Sequence, residues 1–253
     1  MEADKVRSLI LLIEDMSDKT VLSRQKEVLQ QTIAHDLKSP LIASNYLIQA
    51  MMKKHANNGD RELLMRLQDS NEDALKMVKN MLEISKYRQG VHVMTQSDVV
   101  LNDLVKGIVA GFDFRCQVSE VSIALNMPEE RLLIKSDEAA LKHLLGNLLE
   151  NAIKFSPRQT AVTITLKDHT SIVSIDVHNS GPGIHEKDKE KLFTPFWQGE
   201  LGQQSAGGTG IGLYLSQQIA HALGGTISFT SDETSGTTFT ITLPQQQENG
   251  VKR

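Results

Sequence analysis

Helix-breaking residues are spread so unevenly along this chain that they divide it before any motif is considered. Between Asp18 and Gln89 the only proline is Pro40 and the only glycine is Gly59, although the chain holds 17 glycines in all. A stretch of that length with so few breakers is committed to long helices. Plotted at about 100° per residue, Ile33, Ala34, Leu37, Leu41, Ile48 and Met51 share one face, and Leu63, Leu67, Ala74, Met77, Met81 and Ile84 form a second stripe. His55 to Asp60 reads as a short polar turn with Gly59 where a helix would stop. The expectation is an antiparallel helical hairpin over residues 18–90. Two helices with one apolar stripe each cannot enclose a core, so the hairpin is expected to pair with a second copy as a dimeric four-helix bundle. Packing against the C-terminal half is the alternative; the near-continuous stripes favour the dimer.

After Gly90 short β-rich runs appear at Val121 to Leu125, Ala161 to Leu166, Ser171 to Val177, Thr226 to Phe229 and Thr237 to Leu243. Helical patterns lie between them at Leu101 to Phe114, Asp137 to Lys154 and Ile211 to Leu223. The runs 161–166 and 171–177 are separated by a hairpin-length link, Lys167 to Thr170. The mixture predicts an α+β fold: a mixed sheet covered by helices, an α/β sandwich over residues 91–245. The polar tail 246–253 is expected to be disordered. Leu9 to Ile13 reads as a buried strand with no partner within reach, so residues 1–17 are expected to be the end of an upstream domain. That run is too short to span a bilayer, so no membrane segment is expected. A net charge of −4 offers no polybasic face for nucleic acid. The single cysteine, Cys116, allows no disulfide framework, and a cytoplasmic setting fits best.

Within the first helix lies Ile33-Ala34-His35-Asp36-Leu37-Lys38-Ser39-Pro40. His35 projects nearly opposite the apolar stripe, toward solvent. Pro40 cannot donate to the carbonyl four residues back and crowds that turn, so a bend is expected just beyond His35. Ser39 lies one turn after His35 on the same outward side. A neutral imidazole is a competent nucleophile near pH 7, and Asp36 can orient it or take up its proton. Alone, the pair reads equally as a solvated His-Asp surface feature.

The second half carries complementary chemistry. In Asn147-Leu-Leu-Glu-Asn151-Ala-Ile-Lys154-Phe155, the spacing i, i+4, i+7 places Asn147, Asn151 and Lys154 on one helix face. Asn151 offers a neutral oxygen suited to Mg²⁺, and Lys154 a point charge for phosphate. Asn179-Ser-Gly181-Pro-Gly183-Ile184 follows a strand, and Gly207-Gly208-Thr209-Gly210-Ile211-Gly212-Leu213 opens a helix. Such glycines let backbone approach a ligand, and a helix N-terminus directs N–H groups at phosphate. Between the clusters, Phe193, Phe196 and Trp197 precede a polar, glycine-bearing segment with the composition of a hinged lid.

Taken together, these motifs resemble the catalytic core of a sensor histidine kinase of a two-component system, over roughly residues 18 to 245. His35-Asp36-Leu-Lys-Ser39-Pro40 is similar to the family's phosphoacceptor box, Asn147 to Lys154 to its asparagine box and Phe193 to Phe196 to its phenylalanine box. The two glycine clusters and Gly236-Thr237-Thr-Phe239 resemble its three glycine boxes. The resemblance implies a dimerisation and phosphotransfer bundle joined to an ATP-binding domain. The nucleotide would be lined by Asn147, Asn151, Lys154, Phe155, Asn179, Gly181, Gly183, Ile184, Phe193, Phe196, Gly208, Thr209, Gly210, Ile211, Gly212, Leu213 and Thr237, under a lid at 198–209. Mg²⁺ would be held by Asn147 and Asn151. His35 would attack the γ-phosphorus with Asp36 as base, and phosphate would pass to an aspartate of a separate response-regulator receiver domain docking near His35. Leu9 to Met16 resembles the last strand of a PAS sensor domain, followed by a signalling helix over Ser17 to Thr32.

Three positions depart from the family pattern, of which Lys38, in place of the more common arginine, should matter little. Asn179 stands where an aspartate normally accepts the adenine amino group, which implies weaker ATP binding. Ser39 stands where threonine or asparagine helps position a water that dephosphorylates the regulator; a hydroxyl is retained, so phosphatase activity stays open. Two other readings compete: a signalling scaffold that binds ATP weakly, and an ATPase of the related chaperone and type II topoisomerase group.

Overall fold

The computed structural model describes residues 37–52, 58–88, 94–199 and 209–245. The expected strand at Leu9 to Ile13, the signalling helix, His35, Asp36, Gly208, most of the lid and the tail lie outside the described residues. The chain divides into two compact units, with the boundary between Lys86 and Tyr87.

The first unit is a helical hairpin. Helix α1 covers 37–52 and runs through Pro40, and α2 spans Asn58–Arg88. Residues Asn71, Leu75, Val78 and Ser85 of α2 are buried at spacings of four, three and seven, with Asn80 buried beside them, the rhythm of a helix seam. The apolar stripe expected on the hairpin is different: Leu37, Met51, Leu63 and Leu67 are exposed in the single chain.

The second unit is an α/β sandwich. A five-stranded mixed sheet has the order β2-β4-β5-β7-β6, with β2 Ser122–Asn126, β4 Ala161–Asp168, β5 Ile172–Asn179, β6 Thr226–Asp232 and β7 Gly236–Pro244. Only β2 and β4 run parallel; the other neighbours are antiparallel. Alternation sorts each strand. Val162, Ile164 and Leu166 of β4, Val173, Ile175 and Val177 of β5 and Phe239, Ile241 and Leu243 of β7 are buried on one face. Helix α5 (Glu138–Phe155) covers that face with Leu141, Leu144, Leu145, Leu148, Leu149 and Ile153, and α7 (Gly212–Ala222) adds Leu215 and Ile219. Burial of whole leucine and isoleucine side chains contributes about 1.5–3 kcal/mol each.

Asp137 explains where α5 begins. One carboxylate oxygen accepts the Ala140 N–H at 2.9 Å as a helix cap, and the other accepts the Thr95 N–H at 3.0 Å. The helix expected over Leu101 to Phe114 is broken. α3 ends at Ala110, and after a turn at Gly111-Phe112 a separate α4 spans Asp113–Ser119, ended by left-handed Glu120. A small antiparallel pair, β1 (Ser97–Val100) with β3 (Leu133–Ser136), was not expected. A single turn of helix, α6, lies at Glu186–Lys189.

Candidate functional site

The site in the second unit grows from the ends of β5, β7 and α5. Strand register sets Asn179 opposite Thr237. Asn179 is almost wholly buried. In the amide orientation that satisfies both neighbours, its oxygen accepts the Gly181 N–H at 3.1 Å and its nitrogen donates to the Thr237 carbonyl at 3.3 Å. The C-terminal end of α5 closes on the same loop: a Cβ at Gly181 would lie 2.5 Å from the Phe155 carbonyl. Gly183 has φ +74°, and a Cβ there would lie 2.6 Å from the Asp232 carbonyl oxygen, so only glycine fits.

Residues that the sequence did not flag hold this loop in place. The Ser231 hydroxyl accepts the Ile184 N–H at 2.8 Å and lies 2.7 Å from Thr237 Oγ1. Asp232 is held below the usual carboxylate pKa, first by the Thr234 hydroxyl and then by the backbone N–H groups of Thr234 and Ser235. The S-D-E-T-S-G turn composition ahead of Gly236 was the available signal.

On α5, Asn147 is buried and its Nδ2 has no partner. Asn151 and Lys154 are half-buried, and Lys154 Nζ lies 5.4 Å from the centre of the Phe155 ring. Asn147 opens onto a groove of about 370 Å³ whose walls include Arg115, Lys142, His143 and Glu150. Arg115 pairs with Glu150 at 2.7 Å and stacks over Phe112. None of these groove residues was singled out beforehand, since α4 and α5 meet only in the folded chain.

The glycine-rich entry to α7 lies beside the phenylalanine segment. The Phe196 N–H donates to the Gly210 carbonyl at 2.9 Å, which ties together the two ends of the expected lid. Phe193 stacks edge-on against Phe229, with ring centres 6.0 Å apart. At the start of α7, Ile211 makes no side-chain cap, and among the described residues a Cβ at Gly212 would meet nothing within 4 Å. A helix start left without a side-chain cap suits an anion. Thr209 is half-buried, its hydroxyl 3.4 Å from the Ile211 N–H, and Leu213 follows in the first turn.

The structure therefore brings Phe155, Asn179, Gly181, Gly183, Ile184 and Thr237 together, and separately joins Phe196 to Gly210. Ser39 is exposed on α1, in the other unit.

The first part of the chain matches, over residues 25–90, the model of the His Kinase A (phospho-acceptor) domain. Residues 136–247 match the histidine kinase-, DNA gyrase B-, and HSP90-like ATPase. The chain belongs to the sensor histidine kinases. It is 27% identical over 252 residues to the sensor histidine kinase WalK of Bacillus subtilis, covering 98% of this chain and 41% of that protein. It is also 27% identical over 244 residues to the sensor-like histidine kinase SenX3 of Mycobacterium tuberculosis, covering 94% and 58%. The chain thus spans about half the length of these curated relatives. Among solved structures it resembles the histidine kinase ThkA in complex with the response regulator protein TrrA, with TM-score 0.61 and 26% identity over 85% of this chain and 60% of that one. Full-length ShkA in complex with AMPPNP shares the fold, with TM-score 0.72 and 20% identity over 87% of this chain and 46% of that one. As in this family, the histidine kinase fold here is a helical hairpin followed by a mixed sheet with helices.

Proposed function

We propose that this kinase core phosphorylates His35 from Mg-ATP and passes the phosphoryl group to an aspartate of a separate response regulator. The observation that carries the reading is the tandem order of a phosphoacceptor domain and an ATPase domain in one chain. The residues fit the nucleotide: the orphaned, buried N–H₂ of Asn147 and the N–H groups at the start of α7, which has no side-chain cap, are donors that phosphate oxygens would satisfy. The amide oxygens on α5 are the kind of ligand its ion takes. Asn147 and Asn151 would hold Mg²⁺, which prefers oxygen ligands and supplies charge stabilisation to the phosphates. Lys154 would contact phosphate, while Asn179, Gly181, Gly183, Ile184 and Thr237 would take the base end. Phe193, Phe196 and residues 208–213 would border the lid.

In the reaction a ring nitrogen of His35 forms the bond to the γ-phosphorus as the bond to the ADP oxygen breaks, and Asp36 orients the ring and takes up its proton. Regulator docking would centre on His35, and Ser39 would hold a water that attacks the regulator's aspartyl phosphate, releasing inorganic phosphate and the free carboxylate. The ThkA–TrrA complex supports the regulator partner, and the exposed stripe at Leu37, Met51, Leu63 and Leu67 supports a homodimer. The Leu9 to Ile13 run supports a sensor before residue 18. No helix among the described residues is long and apolar enough to cross a membrane.

One observation favours a second reading, a scaffold that binds ATP weakly: both ends of the Asn179 amide already have partners inside the protein. Incubation with ATP labelled at the γ-phosphate separates the two. Acid-labile, alkali-stable label that disappears in His35→Gln is expected. Bound ATP without such label means a scaffold, and hydrolysis that survives His35→Gln means a plain ATPase.

A further inference from the structure

The turn of α1 that follows Pro40 is held by an unusual arrangement of polar groups. Pro40 has no N–H and so donates no helical hydrogen bond to the carbonyl four residues back. The Leu41 carbonyl, one residue beyond the proline, is by contrast over-supplied with donors. The Ser44 hydroxyl lies 3.0 Å from it, and Asn71 reaches across from α2 to donate from Nδ2 at 2.8 Å. Asn71 is buried, and its own oxygen lies 2.6 Å from the same Ser44 hydroxyl. That hydroxyl has one proton for two acceptors, Leu41 O and Asn71 Oδ1.

Each member of this cluster acts on the turn that follows Pro40. Side-chain donors that intrude on a helical carbonyl tilt it and bend the helix, as does back-bonding from a serine. The seam continues with Leu75 and Val78, both buried and apolar. An apolar residue at position 71 would suit such a seam, and replacing both members of a buried polar pair with apolar groups is often neutral or stabilising. The polar pair is therefore poorly explained by stability, and it sits in the turn that follows Pro40.

We propose that Asn71 is a positioning residue for the phosphoacceptor helix: through the Leu41 carbonyl it ties the turn that follows Pro40 to α2, and thereby sets how that helix presents His35. This rests on the reading of His35 as the phosphoacceptor given above. Asn71 touches no reacting atom; it acts by fixing the helix that carries one.

The test uses the full chain with Ser44→Ala and Asn71→Leu combined, so that neither partner is left unsatisfied. The rate of labelling of His35 is followed across ATP concentrations, with thermal melting and ATP binding measured on the same protein. The expected result is an unchanged or raised Tm, an unchanged KM and Kd for ATP, and a turnover lower by on the order of tenfold, the scale at which small misplacements affect catalysis. Asn71→Asp keeps an acceptor for Ser44 but loses the donor to Leu41, and should lower turnover in the same way. Wild-type turnover in either variant overturns the proposal. So does a lower turnover in the double variant that comes with a lower Tm, since loss of packing would then suffice. If the wild-type chain takes no label, or its label survives His35→Gln, the functional reading itself has failed and the proposal falls with it.

Discussion

Replacing Asn179 with aspartate should move two measurements in opposite directions. The Asn179 nitrogen donates to the Thr237 carbonyl at 3.3 Å, while its oxygen accepts from Gly181. An aspartate keeps the second bond and strengthens it by charge, but sets an acceptor against the Thr237 carbonyl at a residue only 4% exposed. Losing a neutral hydrogen bond costs about 0.5–1.5 kcal/mol, and a charge-assisted bond contributes about 1.5–3. The penalty for burying a carboxylate runs to several kcal/mol. The net expectation is a domain destabilised by roughly 1–3 kcal/mol, which lowers Tm by about 2–4 °C per kcal/mol for a domain of this size. Toward ATP the sign reverses. A charged acceptor for the adenine amino group is better than a neutral one by about 1 kcal/mol, or roughly fivefold in Kd. Melting curves with and without Mg-ATP, beside an equilibrium titration of ATP, read both effects. Because burial favours the neutral acid, the Tm deficit should shrink as pH is lowered and grow as pH rises through the raised pKa of the introduced carboxyl. ATP affinity that is unchanged or weaker refutes the base-reading role of this position. A Tm that is unchanged or higher near neutral pH refutes the hydrogen-bond assignment of the amide.

Two further outcomes follow from the site and the hairpin. Gly183→Ala forces a side chain into φ +74° and against the Asp232 backbone; it should cost about 2 kcal/mol or more and lower Tm. Gly212→Ala, with no atom within 4 Å of the new Cβ, should leave Tm unchanged or raise it by the helix preference for alanine, about 1 kcal/mol, yet weaken nucleotide binding measured by titration; tighter binding would refute the anion-facing start of α7. Leu63 and Leu67 are 61% and 48% exposed, so burial by a second copy would contribute about 1 kcal/mol each and count twice by symmetry. Leu63→Lys with Leu67→Lys should therefore raise the dimer dissociation constant by roughly two to three orders of magnitude in sedimentation equilibrium, and an unchanged constant would place the interface elsewhere.

The parts legible in the sequence are those whose chemistry is local. Breaker spacing marked the hairpin, alternation marked the five strands of the main sheet, and glycine clusters marked loops where a Cβ has no room. The parts missed depend on residues far apart. β1 and β3 have four residues each and pair Ser97 with Ser136. Ser231 supports Ile184 from 47 positions away, and Arg115 meets Glu150 across 35. The break in the helix at Gly111 had a local signal, Gly-Phe-Asp, which the surrounding apolar periodicity outweighed.

Asparagines show where reading residue types stops and accounting for hydrogen bonds begins. Asn102 spends its whole amide on structure, donating to the Pro128 and Glu130 carbonyls and accepting from the Leu132 N–H. Asn71 does the same across the hairpin. Asn147, with the same side chain and similar burial, leaves its nitrogen without a partner. Buried polar atoms are normally satisfied, because leaving one unpaired costs about 1–3 kcal/mol. Asn80 of the hairpin has an unpaired nitrogen too, so what sets Asn147 apart is that it lines a groove where a ligand atom would satisfy that amide. Asn179 lies between Asn102 and Asn147 in this respect, engaged at both ends but with one proton and one lone pair still uncommitted. That intermediate state is why its replacement by aspartate separates the stability of the domain from its affinity for nucleotide.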